Sequence, residues 1–182
     1  MIKNTLKTSE FDHFETLADE WWDPDGKFKI LHTLTPIRIS YIKKKLFDKK
    51  YSKKSLSNFN ILDLGCGGGL VCEPLARLGA NITGIDFVKQ NIIAAKKHAK
   101  KTNTNIEYLH QNINNLKLKK KYDAVLILEV LEHIEDWKKI IINIKKLLKP
   151  GGKIIISTIN RNFFSKLFAI FIAENILNWV PK

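Results

Sequence analysis

A run of glycines behind an acidic residue is the part of this sequence best suited to binding a ligand. Asp63, Gly65, Gly67 and Gly69 occupy alternate positions at the end of a short apolar stretch. Glycine lets a ligand approach the backbone with no Cβ in between. A buried strand that runs into a glycine turn and then a helix is the usual nucleotide site of an α/β fold. The stretch therefore predicts a nucleotide-binding loop, with an ordinary glycine turn as the simpler alternative.

The spacing of the glycines separates two kinds of nucleotide. A dinucleotide fingerprint requires G-x-G-x-x-G, and Leu70 stands where its last glycine would be. Asp63 fits poorly beside a pyrophosphate because like charges repel at short range, but it fits well beside an ammonium group. We therefore predict a nucleoside that carries an amino acid. A nicotinamide-dependent dehydrogenase is the alternative.

Further acidic residues and a histidine follow two other predicted strands. Asp86 lies about 20 residues past the glycines, where an acid commonly bonds the ribose hydroxyls. Glu129, Glu132 and His133 lie close together in the sequence. Two carboxylates and an imidazole can bind a divalent cation, with the histidine as ligand or base. The alternative is that these three are plain surface residues.

Alternating strands and helices are predicted to position these residues. The predicted strands are 59–64, 81–86, 105–110, 122–128 and 152–158, and the predicted helices are 68–79, 88–102 and 136–149, with Pro150-Gly151-Gly152 as the turn into the fifth strand. Such alternation predicts a doubly wound parallel sheet with right-handed crossovers. Ligands of these sheets bind at the carboxyl ends of the strands, and all the residues named above lie at such ends.

The residues before the first strand predict a helical cap. An amphipathic helix is predicted over 9–19, and Pro36 is predicted to begin another helix, followed by a basic connector over 43–57. Trp21 and Trp22 stand between them, as either core residues or a lid over a pocket. The planar guanidinium of Arg38, flanked by isoleucines, is expected to point inward at a carboxylate.

Composition limits the classes of protein but does not choose among them. The chain has 182 residues, which predicts one domain: a helical cap over 1–57, a core over 58–160 and an amphipathic tail over 161–182. The net charge of +13 favours nucleic acid or an anionic membrane surface, unless it reflects compositional bias. The apolar tail suits the headgroup boundary of a membrane or covers the core. Two cysteines without zinc-binding spacing, and no signal peptide or membrane span, predict an intracellular location.

Motifs along most of the chain resemble one methyltransferase family, the ubiquinone-biosynthesis O-methyltransferases. These motifs are Trp21-Trp22-Asp23, Gly26-Lys-Phe28-Lys-Ile-Leu-His32, Pro36-Ile-Arg38, Asp63-Leu-Gly-Cys-Gly-Gly-Gly69, Glu129-Val-Leu-Glu-His133, Lys149-Pro-Gly-Gly152 and Ser157-Thr-Ile-Asn-Arg161. The glycine motif is shared by a whole superfamily, whereas the tryptophan pair and the last motif are far more specific.

The resemblance implies a fold, a reaction and partners. The fold would be that of the class I S-adenosylmethionine-dependent methyltransferases, Rossmann-like and α/β. The reaction would be both O-methylations of polyprenylated phenol or catechol intermediates of ubiquinone biosynthesis, in the cytoplasm at the inner face of the membrane. Other proteins of that pathway are expected partners and nucleic acid is not. The alternatives are an RNA methyltransferase, another small-molecule methyltransferase, or a catalytically impaired membrane-associated fragment.

The resemblance also assigns site residues. It implies S-adenosylmethionine contacts at Arg38, Gly65, Asp86 and Leu128, and the cofactor would lie across 65–69 with its adenine near Asn112 and Ile113. The full predicted set is Arg38, Asp63, Gly65, Cys66, Gly67, Gly69, Asp86, Asn112, Ile113 and Leu128 for the cofactor, Glu129, Glu132 and His133 for Mg²⁺, and His133 for catalysis. Family members continue into a C-terminal strand pair. A C-terminally truncated chain with a bare fifth strand and weak activity is therefore expected.

Overall fold

The computed structural model describes residues 20–47 and 55–158. The strands are β1 (Asn60–Leu64), β2 (Asn81–Asp86), β3 (Glu107–His110), β4 (Tyr122–Leu128) and β5 (Leu148–Ser157), and the helices are α1 (Lys29–Leu46), α2 (Cys72–Arg77), α3 (Lys89–Lys101) and α4 (Trp137–Lys145). Short 3₁₀ turns occupy Ile113–Asn115 and Leu131–His133. The predicted helix over 9–19 and the tail over 161–182 lie outside the described residues.

The five strands form one parallel sheet in the order β3-β2-β1-β4-β5. This confirms the predicted parallel α/β fold. The order reverses between β1 and β4, and in sheets of this kind the ligand crevice lies at that switch point. Within the described residues β5 pairs with β4 alone. The residues after Thr158 lie outside that part of the chain, so the bare edge stays a prediction.

The central strands β1 and β4 are buried on both faces of the sheet, which explains why they are nearly continuous apolar runs. Successive side chains of a strand point to opposite faces, so Ile61 joins a cluster with α1, α2 and α3, whereas Leu62 joins one with α4. In β4, Leu126 belongs to the first of these clusters and Val125 to the second. This packing fixes the register of β1 and β4, and therefore the positions of the loops that follow them.

The prediction that Pro36 begins a helix is wrong. Helix α1 begins at Lys29, and Pro36 lies inside it and does not begin it. An interior proline removes one helical N–H bond, but the apolar positions at Leu31 and Ile42 keep the helix packed on the protein. The predicted connector over 43–57 is wrong in its first residues, since α1 continues to Leu46.

Two other boundaries differ from prediction around glycines. Helix α2 begins at Cys72 and not at residue 68, because the glycine loop continues through Val71 before the chain becomes helical. Helix α4 ends at Lys145, and the predicted Pro-Gly-Gly turn is a bulge inside β5. Pairing there passes from Tyr122 with Leu148 directly to Ala124 with Lys153.

Candidate functional site

A cavity of about 330 Å³ lies at the carboxyl ends of β1, β2 and β4. Its volume is at the lower end of the range for small-molecule sites. Of the predicted site residues, its lining includes Arg38, Asp63, Gly65, Cys66, Gly67, Asp86, Asn112, Ile113, Leu128, Glu129, Glu132 and His133. Gly69 is not in the lining and packs below the loop, where an added Cβ would lie 2.2 Å from the Tyr108 hydroxyl oxygen.

The carboxylate of Asp86 braces the glycine loop. Its Oδ2 accepts a hydrogen bond from the Gly67 N–H at 2.9 Å, and its Oδ1 accepts from the Val88 N–H at 2.8 Å and from Asn91 Nδ2 at 3.4 Å. Burial raises the pKa of Asp86, and these three donors oppose the rise. Because a carboxylate has about four acceptor positions, Oδ2 can still accept a ligand hydroxyl.

Trp21 packs directly on the glycine loop. A Cβ added to Gly67 would lie 2.4 Å from Trp21 Cη2, so only glycine leaves room for the indole there. The indole also stacks on Phe28 with ring centroids 3.9 Å apart, and its Nε1 donates to Asn91 Oδ1 at 2.8 Å. Trp21 is buried, as expected of a core residue, and it also lines the cavity; its role as a lid stays a prediction.

Trp22 anchors the same segment outside the cavity. Its ring stacks on His98 with centroids 3.4 Å apart, and its Nε1 donates to the Gly68 carbonyl at 2.9 Å. His98 Nδ1 lies 2.6 Å from an oxygen of Glu73, which is fully buried. Sequence reasoning missed Asn91, His98 and Glu73, because polar residues on a helix give no sign of which ones face inward.

Asp63 is buried at the centre of the site, between the Asp86 and Arg38 sides. It accepts a hydrogen bond from the Cys72 thiol at 3.2 Å. Burial raises the pKa of Asp63 from 3.8 to about 6, and the charge of Asp86 adds to the rise, while the Cys72 bond and the charge of Arg38 oppose it. Burial likewise raises the pKa of the Cys66 thiol to about 11, so Cys66 is a neutral lining residue.

Arg38, Glu129 and Ser157 form a linked group on the β4 side of the cavity. Arg38 Nη2 donates to Glu129 Oε1 at 3.0 Å, and the Ser157 hydroxyl donates to the same oxygen at 2.8 Å. The prediction that Arg38 points inward at a carboxylate agrees with this contact. Glu129 has a φ of +56°, a conformation uncommon for any residue other than glycine. Such strain is found most often at functional sites.

The three predicted metal ligands do not form a metal-binding group in the structure. Glu129 is engaged by Arg38 and Ser157, and Glu132 Oε2 accepts a hydrogen bond from the Thr158 hydroxyl at 3.0 Å. Across residues 20–47 and 55–158, no three His, Cys, Asp or Glu side chains are arranged to hold a metal ion. Although these three residues are close in the sequence, their side chains are therefore not arranged around a common metal position.

Comparisons with known proteins identify the family. A methyltransferase domain family matches residues 62–156. The chain is 47% identical over 181 residues to a ubiquinone biosynthesis O-methyltransferase of Pelagibacter ubique, covering 98% of this chain and 75% of the relative. The protein of the same name from Rickettsia typhi is 45% identical over 179 residues, covering 98% and 72%. The chain belongs to the ubiquinone biosynthesis O-methyltransferase family.

A solved structure supports the fold. Magnesium protoporphyrin IX methyltransferase of Synechocystis with bound SAM aligns with a TM-score of 0.60 and 21% identity, over 78% of this chain and 67% of that chain. Likeness at this identity concerns the fold alone. Membership of the ubiquinone biosynthesis family confirms the predicted O-methyltransferase class. None of the helices among the described residues is long and apolar enough to cross a bilayer.

Proposed function

We propose that this O-methyltransferase transfers the methyl group of S-adenosylmethionine to an oxygen of a polyprenylated phenol or catechol, at both O-methylation steps of ubiquinone biosynthesis. The observation that carries the proposal is the cavity, where a glycine loop, an acid and an arginine meet at the switch point of the sheet. The names of the relatives supply the pathway, and the Synechocystis methyltransferase was solved with bound SAM.

The cofactor would lie across the cavity from β2 to β4. The remaining acceptor capacity of Asp86 suits the ribose hydroxyls, and Asn112 with Ile113 would border the adenine beyond β3. Leu128 and Arg38 line the opposite end, where a guanidinium can bind the carboxylate of the methionine part. Asp63 would lie near the ammonium, whose positive charge would favour the ionised carboxylate.

The proposed reaction needs one proton acceptor. His133 lines the cavity and would take the proton of the phenol, whose oxygen then attacks the sulfonium methyl group in line. The new O–C bond forms as the S–C bond breaks, and the electron pair returns to sulfur. His133→Ala should lower kcat by about 10²- to 10⁴-fold if the histidine is this base.

A Mg²⁺ ion does not fit the residues predicted to hold it. The guanidinium of Arg38 already lies 3.0 Å from Glu129 Oε1, and a second cation there would be repelled at short range. We therefore expect methyl transfer to proceed without a metal ion at these residues, and a chelator to leave it unchanged.

Calorimetry with S-adenosylhomocysteine tests the cofactor proposal. We expect binding to the wild type, and Asp86→Ala should weaken it by about 1–3 kcal/mol because a buried hydrogen-bond acceptor is lost. Asp123→Ala is a matched control, since Asp123 pairs with Lys149 away from the cavity. Binding of NADH without binding of S-adenosylhomocysteine would overturn the proposal in favour of a dehydrogenase.

Methyl-transfer assays test the substrate class. A prenylated catechol and bulk tRNA are offered in parallel with labelled S-adenosylmethionine. Transfer to the catechol alone is expected, whereas transfer to tRNA alone would contradict the quinone substrate. The net charge of +13 makes this comparison necessary, because nucleic acid attracts basic proteins of any function.

We also propose that the protein attaches to the inner, anionic face of the membrane from the cytoplasm, where a prenylated substrate resides. The support is the net charge of +13 and the apolar tail, which lies outside the described residues. Flotation with anionic liposomes at low salt should be lost when 163–180 is deleted. Flotation that is absent, or unaffected by this deletion, would contradict the attachment.

A further inference from the structure

We propose that Glu129 is a positioning residue that aligns Arg38 with the carboxylate end of the cofactor, and that it does not bind a metal ion. The inference rests on the proposed use of S-adenosylmethionine. It concerns a contact between residues that are 91 positions apart in the sequence, which joins helix α1 to the end of β4.

Both donors to Glu129 converge on one oxygen. Oε1 accepts from Arg38 Nη2 at 3.0 Å and from the Ser157 hydroxyl at 2.8 Å. The other oxygen, Oε2, is buried and has no hydrogen-bond partner within the described part of the chain. One oxygen is therefore occupied by a cation and a hydroxyl, and the second is shielded. Because a guanidinium from α1 and a hydroxyl from β5 both bond Oε1, the carboxylate is fixed between these two elements and can anchor the arginine.

The backbone of Glu129 supports the same role. Its φ of +56° is rarely adopted by residues with a side chain and persists only where the surroundings enforce it. Here the Glu129 N–H donates to the Ser157 carbonyl at 2.9 Å, so β5 holds both the backbone and the side chain of Glu129. The rigid sheet thereby fixes the carboxylate that α1 must meet.

Arg38 keeps donors for a ligand after this contact. A guanidinium has five N–H donors in a planar fork, and the contact with Glu129 uses one nitrogen, Nη2. Arg38 lines the cavity, and its side chain is only 15% exposed. A carboxylate held by the remaining face of the fork would be bound in a fixed orientation. Without Glu129 the long arginine side chain would lose that orientation.

Two ligands separate the positioning role from a general effect on the site. S-adenosylhomocysteine carries the amino-acid end, and 5′-methylthioadenosine has the same nucleoside and thioether without it. Calorimetry would compare them on the wild type, Glu129→Ala, Glu129→Gln, Arg38→Ala and the Arg38→Ala/Glu129→Ala double variant. Mg²⁺ would be titrated into the wild type and Glu129→Ala in the same series.

Glu129→Ala should weaken S-adenosylhomocysteine about tenfold and leave 5′-methylthioadenosine unchanged, because the lost bond acts only through Arg38. Glu129→Gln should restore affinity to within about threefold, since its amide oxygen still accepts from Arg38. In the Arg38→Ala background the Glu129→Ala change should have no further effect. Should Glu129→Ala fail to fold, Ser157→Ala should show the same selectivity with a smaller loss.

Three results would overturn the inference. Equal weakening of both ligands would show a general effect on the cavity. Mg²⁺ binding to the wild type that disappears in Glu129→Ala would make Glu129 a metal ligand. If the wild type binds neither nucleoside, the proposed function is wrong and this inference fails with it. That outcome can be recognised because none of the variants would bind either ligand.

Discussion

Asp86 and Glu129 are acids at two strand ends of one cavity, yet their carboxylates are held in opposite ways. Asp86 is the last residue of β2, and its two oxygens accept three hydrogen bonds, two of them from backbone N–H groups of the neighbouring loops. Glu129 follows β4 and receives two side-chain donors on a single oxygen. The first carboxylate braces the loop that would carry the nucleoside, whereas the second ties separate segments together around an arginine.

The two carboxylates differ in whether the protein needs their hydrogen bonds when no ligand is bound. Backbone N–H groups in a buried loop must be satisfied, so Asp86 has a structural task whether or not a ligand is bound. Among the residues that the structure describes, the donors to the Glu129 carboxylate are the side chains of Arg38 and Ser157. We therefore expect changes on the Asp86 side to alter stability, and changes on the Glu129 side to alter ligand selectivity.

The largest effect is expected from Gly67→Ala, on the Asp86 side. Gly67 has a φ of +53°, and an added Cβ would lie 2.4 Å from Trp21 Cη2. The backbone conformation and the overlap with the indole should together lower the free energy of unfolding by about 4 kcal/mol. Denaturant unfolding measures this loss, and S-adenosylhomocysteine binding should disappear with it.

Gly151→Ala is the matched control for this change. Gly151 also has a positive φ of +75°, but nothing lies within 4 Å of the position its Cβ would take. Only the backbone cost of about 1–2 kcal/mol should remain. Equal losses in the two variants would mean that the contact with Trp21 does not constrain the loop.

A second prediction concerns Asp63, which lies between the two sides. Burial raises its pKa from 3.8 to about 6, so in this interval the folded state binds more protons than the unfolded state. The free energy of unfolding should therefore fall as the pH rises from about 4 to 6 and stay level above, by about 3 kcal/mol in total for this group.

The comparison of wild type with Asp63→Asn isolates that contribution, because the amide does not titrate. Denaturant unfolding at pH 4.5 and pH 7 should show a smaller loss for the variant. Saturating S-adenosylhomocysteine should also flatten the wild-type dependence if its ammonium lies near Asp63. An identical pH dependence in both proteins would show that Asp63 titrates normally in the folded state.

The parts of the fold predicted from sequence are those determined by local patterns. The apolar runs of β1, β2 and β4 and the glycine loop between β1 and α2 depend on neighbouring residues, and all were predicted. Boundaries failed where tertiary packing overrode a local signal. Pro36 lies inside α1, and Gly151 forms a bulge inside a strand in place of a turn.

The site divides along the same line as the two acids. The position of Asp86 at the cavity could be predicted, because its distance from the glycines reflects one continuous strand–helix–strand unit. The partners of Glu129 could not, because Arg38 and Ser157 come from α1 and β5, far away in sequence. The same reason hid Asn91, which connects Trp21 to Asp86. The metal site at Glu129, Glu132 and His133 was predicted from their short separation in the sequence. That separation does not reveal that Arg38 and Ser157 form hydrogen bonds with the Glu129 carboxylate.

The smallest effect is expected from a pair of isosteric changes that tests the two acids directly. In Asp86→Asn an amide N–H₂ replaces one oxygen and faces the N–H of Gly67 or Val88, so one bond is lost and stability at pH 7 should fall by about 1–2 kcal/mol. In Glu129→Gln both donors can stay on the remaining oxygen, and the N–H₂ takes the position of Oε2, which has no hydrogen-bond partner among the described residues. Its stability should change by less than about 0.5 kcal/mol. Denaturant unfolding of both variants measures the two losses of stability. If Glu129→Gln lowers the free energy of unfolding as much as Asp86→Asn does, the Arg38–Glu129 pair stabilises the fold as strongly as the hydrogen bonds of Asp86 to the loop. The division of the cavity into a structural side and a ligand-selective side would then be wrong.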